Sequence, residues 1–285
     1  MTAVALSTEE IAFAVAKETR LLAWLRSQSS VLVGFSGGVD SAYLACVALE
    51  ALGAARVLAV IGRSASYPEA QWAIARDVAA QVGLPVLEAD THEMDDARYA
   101  ANPTDRCYFC KTELWAVLGR IARERGIATI VDGTNADDLG DWRPGALAAR
   151  ERGVRSPLAD AGLTKREIRA LSARRGIPTW AQPSSPCLSS RLPYGTPVTA
   201  ERLAQVERAE RALRALGIAG DLRVRHHGEI ARVELAAGTL DEWLAPERMR
   251  ALRDAVRAAG FARVAVDLRG FRSGSLNVLA GVSAA

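Results

Sequence analysis

No apolar run in this sequence reaches the roughly 20 residues that a membrane-crossing helix requires. The first segment, MTAVALSTEEIAFAVAKETR, carries acids early and lacks the basic-then-apolar pattern of a leader. Membrane contact is therefore not expected, and a cytoplasmic location is. Cysteine is scarce, with four in 285 residues. In a reducing compartment such a set points to thiol chemistry or metal ligation rather than to disulfides. Nor does one sign of charge dominate: the net charge is +3, with Lys and Arg interspersed among Asp and Glu. That balance suits anionic small molecules and equally a weak nucleic-acid contact, so it decides little. What remains is ample apolar content, 49% of residues, enough for one large or two modest globular domains.

The chain is organised around VLVGFSGGVDSAYLACVAL, residues 31–49. A short β-branched run, Val31–Phe35, reads as a buried strand, and an amphipathic helix follows the turn Ser36-Gly37-Gly38-Val39-Asp40-Ser41. Glycines let the backbone turn tightly, and the N–H groups opening the next helix form an anion site at the positive end of its dipole. Ser36 and Ser41 add hydroxyl donors; Asp40 can hold a metal ion or cap the helix. No Lys-Ser/Thr pair follows the glycines, so this is not a Walker A loop.

Around that stretch, strands and helices alternate. A helix is expected over 9–27, strands at Arg56–Ile61, Pro85–Ala89 and Ile127–Asp132, and a helix over Pro68–Val82. The fold class that follows is α/β, a doubly wound parallel sheet, with ligands at the carboxyl ends of the strands. Gly62 and Ser64, after the second strand, are placed to meet a nucleotide base through backbone groups, or else form a simple loop. The turn Asp132-Gly133-Thr134-Asn135-Ala136-Asp137-Asp138 brings carboxylates to the same edge. Asn135 and Asp138 are candidates for nucleotide or Mg²⁺ contact, Asp137 less so, with helix capping as the alternative.

Cys107 and Cys110, spaced i and i+3 just before a helix, form a small chelating claw: a redox couple, half a zinc site or part of an iron–sulfur site. A third candidate ligand, Cys187, lies in QPSSPCLSSRLPY, stiffened by Pro183, Pro186 and Pro193. With Arg191 nearby to favour its thiolate, Cys187 is also a candidate nucleophile. Cys46, inside the loop helix among apolar residues, reads as core. Thr164 and Glu167 form a capping box. From Thr196 the pattern becomes αββαβ, a small α+β domain with a mostly antiparallel sheet. There Arg223 and Arg225, two residues apart on one strand face, can receive a phosphate or be a solvated face. The domains are thus expected at 1–195 and 196–285.

The SGGVDS turn resembles the pyrophosphate loop of the PP-loop ATP pyrophosphatases, which cleave ATP between the α- and β-phosphates. Together with GTNADD, PCLSSR and RVRHHGEIARVE, the sequence resembles the LarE sulfur transferases along nearly its whole length. The resemblance implies ATP and Mg²⁺ as cofactors. It also implies adenylylation of a carboxylate of pyridinium-3,5-biscarboxylic acid mononucleotide, with sulfur then replacing AMP on the way to the nickel-pincer cofactor. Cys187 matches the sulfur-bearing cysteine. Some members sacrifice that sulfur, whereas others hold a [4Fe–4S] cluster on three cysteines; Cys107, Cys110 and Cys187 resemble the second kind, and zinc is the bland alternative. The resemblance further implies a homo-oligomer assembled through the C-terminal domain, Arg223 and Arg225 near the substrate phosphate, and Trp115 or Tyr108 facing the pyridinium ring or simply packing.

Three other readings compete. A PP-loop tRNA thiolase would carry an RNA-binding module or a clear basic patch, and neither is evident, so nucleic acid is not expected as a partner. An amide-forming synthetase would need ammonia or a glutaminase and no cysteines. A non-catalytic ATP-binding module would not need Ser36, Asp40 and Ser41 together.

Overall fold

The computed structural model describes residues 6–140 and 144–272. Its elements run α1 (Thr8–Arg26), β1 (Val31–Gly34), α2 (Val39–Leu52), β2 (Val57–Arg63), α3 (Glu69–Val82), β3 (Val86–Asp90), α4 (Ala97–Ala100) and α5 (Arg106–Glu124). They continue β4 (Thr129–Val131), α6 (Pro144–Glu151), α7 (Pro157–Asp160), α8 (Lys165–Arg174), α9 (Ala200–Ala215), β5 (Leu222–His227), β6 (Ile230–Leu235), α10 (Leu240–Trp243), α11 (Pro246–Ala258) and β7 (Arg263–Val266). No helix among the described residues is long and apolar enough to cross a membrane. The chain divides into two compact units. The larger holds 6–93 with 105–185; the smaller holds 94–104 with 186–272.

In the larger unit a fully parallel four-stranded sheet runs in the order β3-β2-β1-β4. Side chains alternate across a strand, and here the alternation separates two cores. Val31, Val33, Ala59 and Ile61 enter one with the buried faces of α1, α2 and α3. Leu32 and Val60 enter the other with Trp115, Leu118 and Ile121 of α5 and Ala148 and Ala149 of α6. A sheet covered on both faces explains why the central strand β1 is apolar along its whole length. From β1 the chain steps outward through β2 to β3, then returns to β4 on the other side of β1. The crevice for ligands therefore lies at the carboxyl ends of β1 and β4.

Local differences from the sequence reading have simple causes. Pro68 caps α3 in an extended conformation instead of opening the helix. The Cys107–Cys110 pair lies on the first turns of α5, not ahead of it. The fourth strand shortens to three residues.

In the smaller unit a three-stranded sheet runs β5-β6-β7. β5 and β6 are antiparallel, but β6 and β7 are parallel, because α11 makes the crossover between them. The sheet is thus mixed, not mostly antiparallel. Leu203, Val206, Ala209 and Leu213 of α9 are buried with Leu222, Val224, Val233 and Leu235 of the sheet.

This unit begins before the expected boundary and also takes in residues 94–104. Asn102 makes the join. It is fully buried with φ +58°, a left-handed conformation that Asn tolerates better than most side chains. Its Nδ2 donates to the carbonyls of Pro193 and Thr196, both at 2.8 Å, and its own carbonyl accepts the Gly195 N–H. Asn102→Ala removes both side-chain donors from buried carbonyls and strains the left-handed backbone, so a loss of about 3 kcal/mol is expected. An unchanged urea midpoint would contradict this assignment.

Candidate functional site

β1 ends in the Ser36–Ser41 turn. Gly37 has φ +65°, and a Cβ there would fall 2.6 Å from the Cα and Cβ of Ala75 on α3. Only glycine satisfies both constraints. Ser41, buried, accepts the Ser36 N–H (3.2 Å) and donates to the Gly38 carbonyl (3.1 Å), so its hydroxyl braces the turn from within. Gly38 caps α2 without a side-chain hydrogen bond, so the start of this 14-residue helix is not blocked by a cap. The Ser36 carbonyl accepts from Gln71 Nε2 (2.8 Å) and the Tyr67 hydroxyl (2.9 Å). Gln71 in turn receives Gln182 Nε2 at 2.7 Å, and Arg169 holds the carbonyls of Trp180 and Gln182.

The loop after β4 presses against the same turn: a Cβ on Gly133 would lie 3.0 Å from the Ser41 nitrogen. Its carboxylates are largely engaged locally. Asp132 accepts from Thr134 and Ser156. Asp138 accepts the Asn135 N–H (3.0 Å), Asn135 Oδ1 accepts the Asp137 N–H (3.0 Å), and Asp137 accepts the Lys165 N–H (2.8 Å). Asp40 differs. Its Oδ2 pairs with Lys165 Nζ, while its Oδ1 is buried with no partner. An orphaned carboxylate oxygen beside a phosphate-type turn fits a Mg²⁺ ligand.

Of the pair expected at the base, Gly62 is explained by packing: a Cβ would meet Leu114 Cδ1 at 2.5 Å. Ser64 donates to buried Glu93 (2.5 Å), as does Ser66 (2.9 Å). Sequence reading missed Gln71, Glu93 and Lys165. Gln71 had a signal, a polar residue on the buried stripe Gln71-Ala75-Val78-Ala79 of α3. Lys165 had none, being 125 residues from its partner.

In the smaller unit Cys187 precedes a tight 3-10 turn, Leu188–Arg191. Its carbonyl accepts from the Ser190 N–H (3.0 Å), Ser190 Oγ (2.8 Å) and Arg191 Nη1 (3.2 Å). Buried Arg191 also donates to the Pro186 carbonyl and forks onto Glu210 at 2.8 and 3.0 Å. The guanidinium expected to favour the thiolate thus clamps the loop backbone. Arg225 is buried too, with two nitrogens on Glu234 Oε2 and a third on the Ser190 carbonyl. Arg223 donates to the Leu222 carbonyl and lies over the Phe271 ring. Burial, with the charge of Arg191 adding to it, pulls Arg223 down to about 10. Neither arginine belongs to a solvated face.

Cys107 is exposed and Cys110 half-buried, and neither is in a disulfide, nor is Cys187. Thiolates suit a cluster as donors, but among the described residues no three His, Cys, Asp or Glu side chains form a group able to hold a metal ion. Trp115 is core, packed over Gly34. Tyr108 donates to Glu151 and stacks edge-on with Phe109. Cys46 packs against the larger core, and burial pushes its thiol up to about 11.

A parallel sheet with a glycine-locked turn and an orphaned Asp at its switch point defines an ATP-pyrophosphatase domain of the PP-loop class. Comparison agrees. Residues 22–127 match the family model described as NAD synthase. A protein of Lactiplantibacillus plantarum named pyridinium-3,5-bisthiocarboxylic acid mononucleotide synthase is 36% identical over 92% of this chain and 94% of its own length. An uncharacterized Synechocystis protein is 42% identical over 86% and 91%, and one from Methanocaldococcus jannaschii 28% over 72% and 77%. The chain belongs to the LarE family of ATP-dependent sulfurtransferases.

Two outcomes test this geometry. Gly37→Ala should abolish binding of α,β-methylene-ATP, and binding at wild-type affinity would contradict the close approach to Ala75. The thiolate is the reactive form, and Cys46 forms it only as pH nears about 11. At pH 8 iodoacetamide should therefore label Cys107 and leave Cys46 intact; equal labelling would contradict the burial.

Proposed function

We propose that the chain makes a thiocarboxylate on the pathway to the nickel-pincer cofactor, with pyridinium-3,5-biscarboxylic acid mononucleotide as acceptor. One acceptor carboxylate oxygen attacks the α-phosphorus of ATP, pyrophosphate departs, and sulfur then displaces AMP from the acyl carbon. The observation carrying the ATP half is the orphaned Asp40 oxygen beside the Ser36–Ser41 turn. Mg²⁺, when bound, neutralises charge on the phosphate oxygens. The chain contributes Asp40 to hold it. The uncapped start of α2, together with Gly37, Gly38 and Val39, receives the phosphates. Ser36 and Ser41 keep the turn in shape. Gly62, Ser64, Asn135 and Asp138 line the same carboxyl edge and contact the nucleotide in this reading.

For the sulfur half, Cys187 sits on a backbone fixed by Arg191, which suits a residue that must present one sulfur atom repeatedly. The substrate phosphate goes to Arg223 more readily than to Arg225, whose guanidinium is already forked onto Glu234. Cys107, Cys110 and Cys187 are assigned as ligands of a [4Fe–4S] cluster. Three thiols would leave one iron without a protein ligand, and none of the three cysteines is consumed in a disulfide. A homo-oligomer in the cytoplasm completes the reading.

The test is AMP formation by anaerobically reconstituted protein, with and without this acceptor. AMP should appear only with it. Cys187→Ala should still adenylylate but release no thiocarboxylate. AMP with unmodified tRNA instead would overturn the acceptor, and reconstituted protein lacking iron and acid-labile sulfide would overturn the cluster.

A further inference from the structure

Glu93 is a buried carboxylate that the chemistry of the phosphate turn does not use. It stands just past β3 and takes both hydroxyls of the turn that follows β2. Its Oε1 accepts from Ser64 Oγ at 2.5 Å and from Ser66 Oγ at 2.9 Å. A bond as short as the first is charge-assisted, so the Ser64 proton is committed to the carboxylate. The two hydroxyl oxygens also lie 2.9 Å apart, and the Ser66 N–H donates to Ser64 Oγ at 3.2 Å. The Ser66 proton goes to the carboxylate, because an anion is a stronger acceptor than a neutral hydroxyl. A serine hydroxyl has one proton and two lone pairs. With its proton on Glu93 and one lone pair facing the Ser66 N–H, Ser64 Oγ can only accept.

Exposure separates the three groups. Glu93 is 3% exposed and Ser66 4%, so a ligand does not touch them, whereas Ser64 is half-buried. Position ties the cluster to the phosphate turn. Ser64 directly follows β2, the neighbour of β1, at the carboxyl edge of the sheet. The Tyr67 N–H donates to the Ser64 carbonyl (3.1 Å), and the Tyr67 hydroxyl donates to the Ser36 carbonyl (2.9 Å). One short segment therefore joins Ser64 to the turn that receives phosphates, and Glu93 holds that segment from behind. A nucleotide with its phosphates at the start of α2 would extend along the carboxyl edge toward β2.

We propose that Ser64, set by Glu93, reads the 6-amino group of the purine and so selects ATP over 6-oxo purine nucleotides. The proposal rests on the ATP reading above. Adenine presents N–H donors at position 6, whereas hypoxanthine and guanine present an oxygen there. An acceptor-only hydroxyl meets the first with a hydrogen bond and the second with lone-pair repulsion. A serine free to rotate would donate to the 6-oxo group and discriminate nothing. Glu93 removes that option. It is a positioning residue, and Ser64 is the group that touches the base.

The test compares three triphosphates that share ribose and phosphates, titrated calorimetrically with Mg²⁺ and no acceptor. They are ATP, purine riboside triphosphate with hydrogen at position 6, and inosine triphosphate with oxygen there. Wild-type protein should bind ATP about tenfold more tightly than the first analogue and about 100-fold more tightly than the second. Ser64→Ala should bring ATP and purine riboside triphosphate to within about twofold of each other. In Glu93→Gln the Ser64 proton is released, and inosine triphosphate should gain about tenfold relative to ATP. A merely structural role would weaken all three ligands alike and leave the ratios at their wild-type values, which would overturn the proposal. So would wild-type protein that binds ATP and purine riboside triphosphate equally. Wild-type protein that binds none of the three would overturn the ATP reading itself. A misfolded Glu93→Gln protein would show in its melting profile, and the wild-type and Ser64→Ala ratios then decide alone.

Discussion

The nucleotide end of this protein depends on one close approach, the backbone of Gly37 against Ala75 of α3. That contact forces a left-handed residue into the turn after β1 and thereby aims the start of α2 at the sheet's carboxyl edge. The turn is then held from behind. Gln71 and Tyr67 fix the Ser36 carbonyl, and Gln182 fixes Gln71. Backbone donors held this way need no reorganisation when charge develops on a leaving group, which is what makes such a site catalytic and not merely binding. Asp40 keeps one unpartnered carboxylate oxygen beside that turn.

In the smaller unit the organising force is buried charge. Arg191 with Glu210, and Arg225 with Glu234, are bidentate or forked pairs in which each arginine is almost wholly buried. Burying such pairs adds little net stability, but breaking one is expensive, and the geometry they impose is narrow. Here that geometry is imposed on the backbone of Pro186, Cys187 and Ser190. Asn102 anchors the far end of the same loop through Pro193 and Thr196. The cysteine therefore sits on a segment clamped at both ends.

Much of the architecture was written in local pattern. Alternating apolar strands and capped helices gave the parallel sheet, and SGGVDS between strand and helix marked the phosphate turn, because glycine requirements and dipole ends are local properties. The capping box at Thr164 and Glu167 was equally visible. What local pattern missed was set by contacts between distant segments. Asn102 belongs with a loop some ninety positions later, so the smaller compact unit takes in residues 94–104, which no local pattern joins to it. The parallel pairing of β6 and β7 follows from the crossover through α11, not from strand composition. Arg191, Arg223 and Arg225 read as available charges because their carboxylate partners and covering residues lie elsewhere in the chain. Lys165 was invisible for the same reason.

The central claim is that a carboxylate oxygen of the acceptor attacks the α-phosphorus. The direct measurement supplies the biscarboxylate mononucleotide with ¹⁸O in its carboxyl groups and examines released AMP by mass spectrometry. Displacement of AMP by sulfur breaks the acyl–oxygen bond, so AMP should carry one ¹⁸O atom for each thiocarboxylate formed. Unlabelled AMP, released together with pyrophosphate, would mean that water and not the acceptor attacks, and the account would be wrong at its first step.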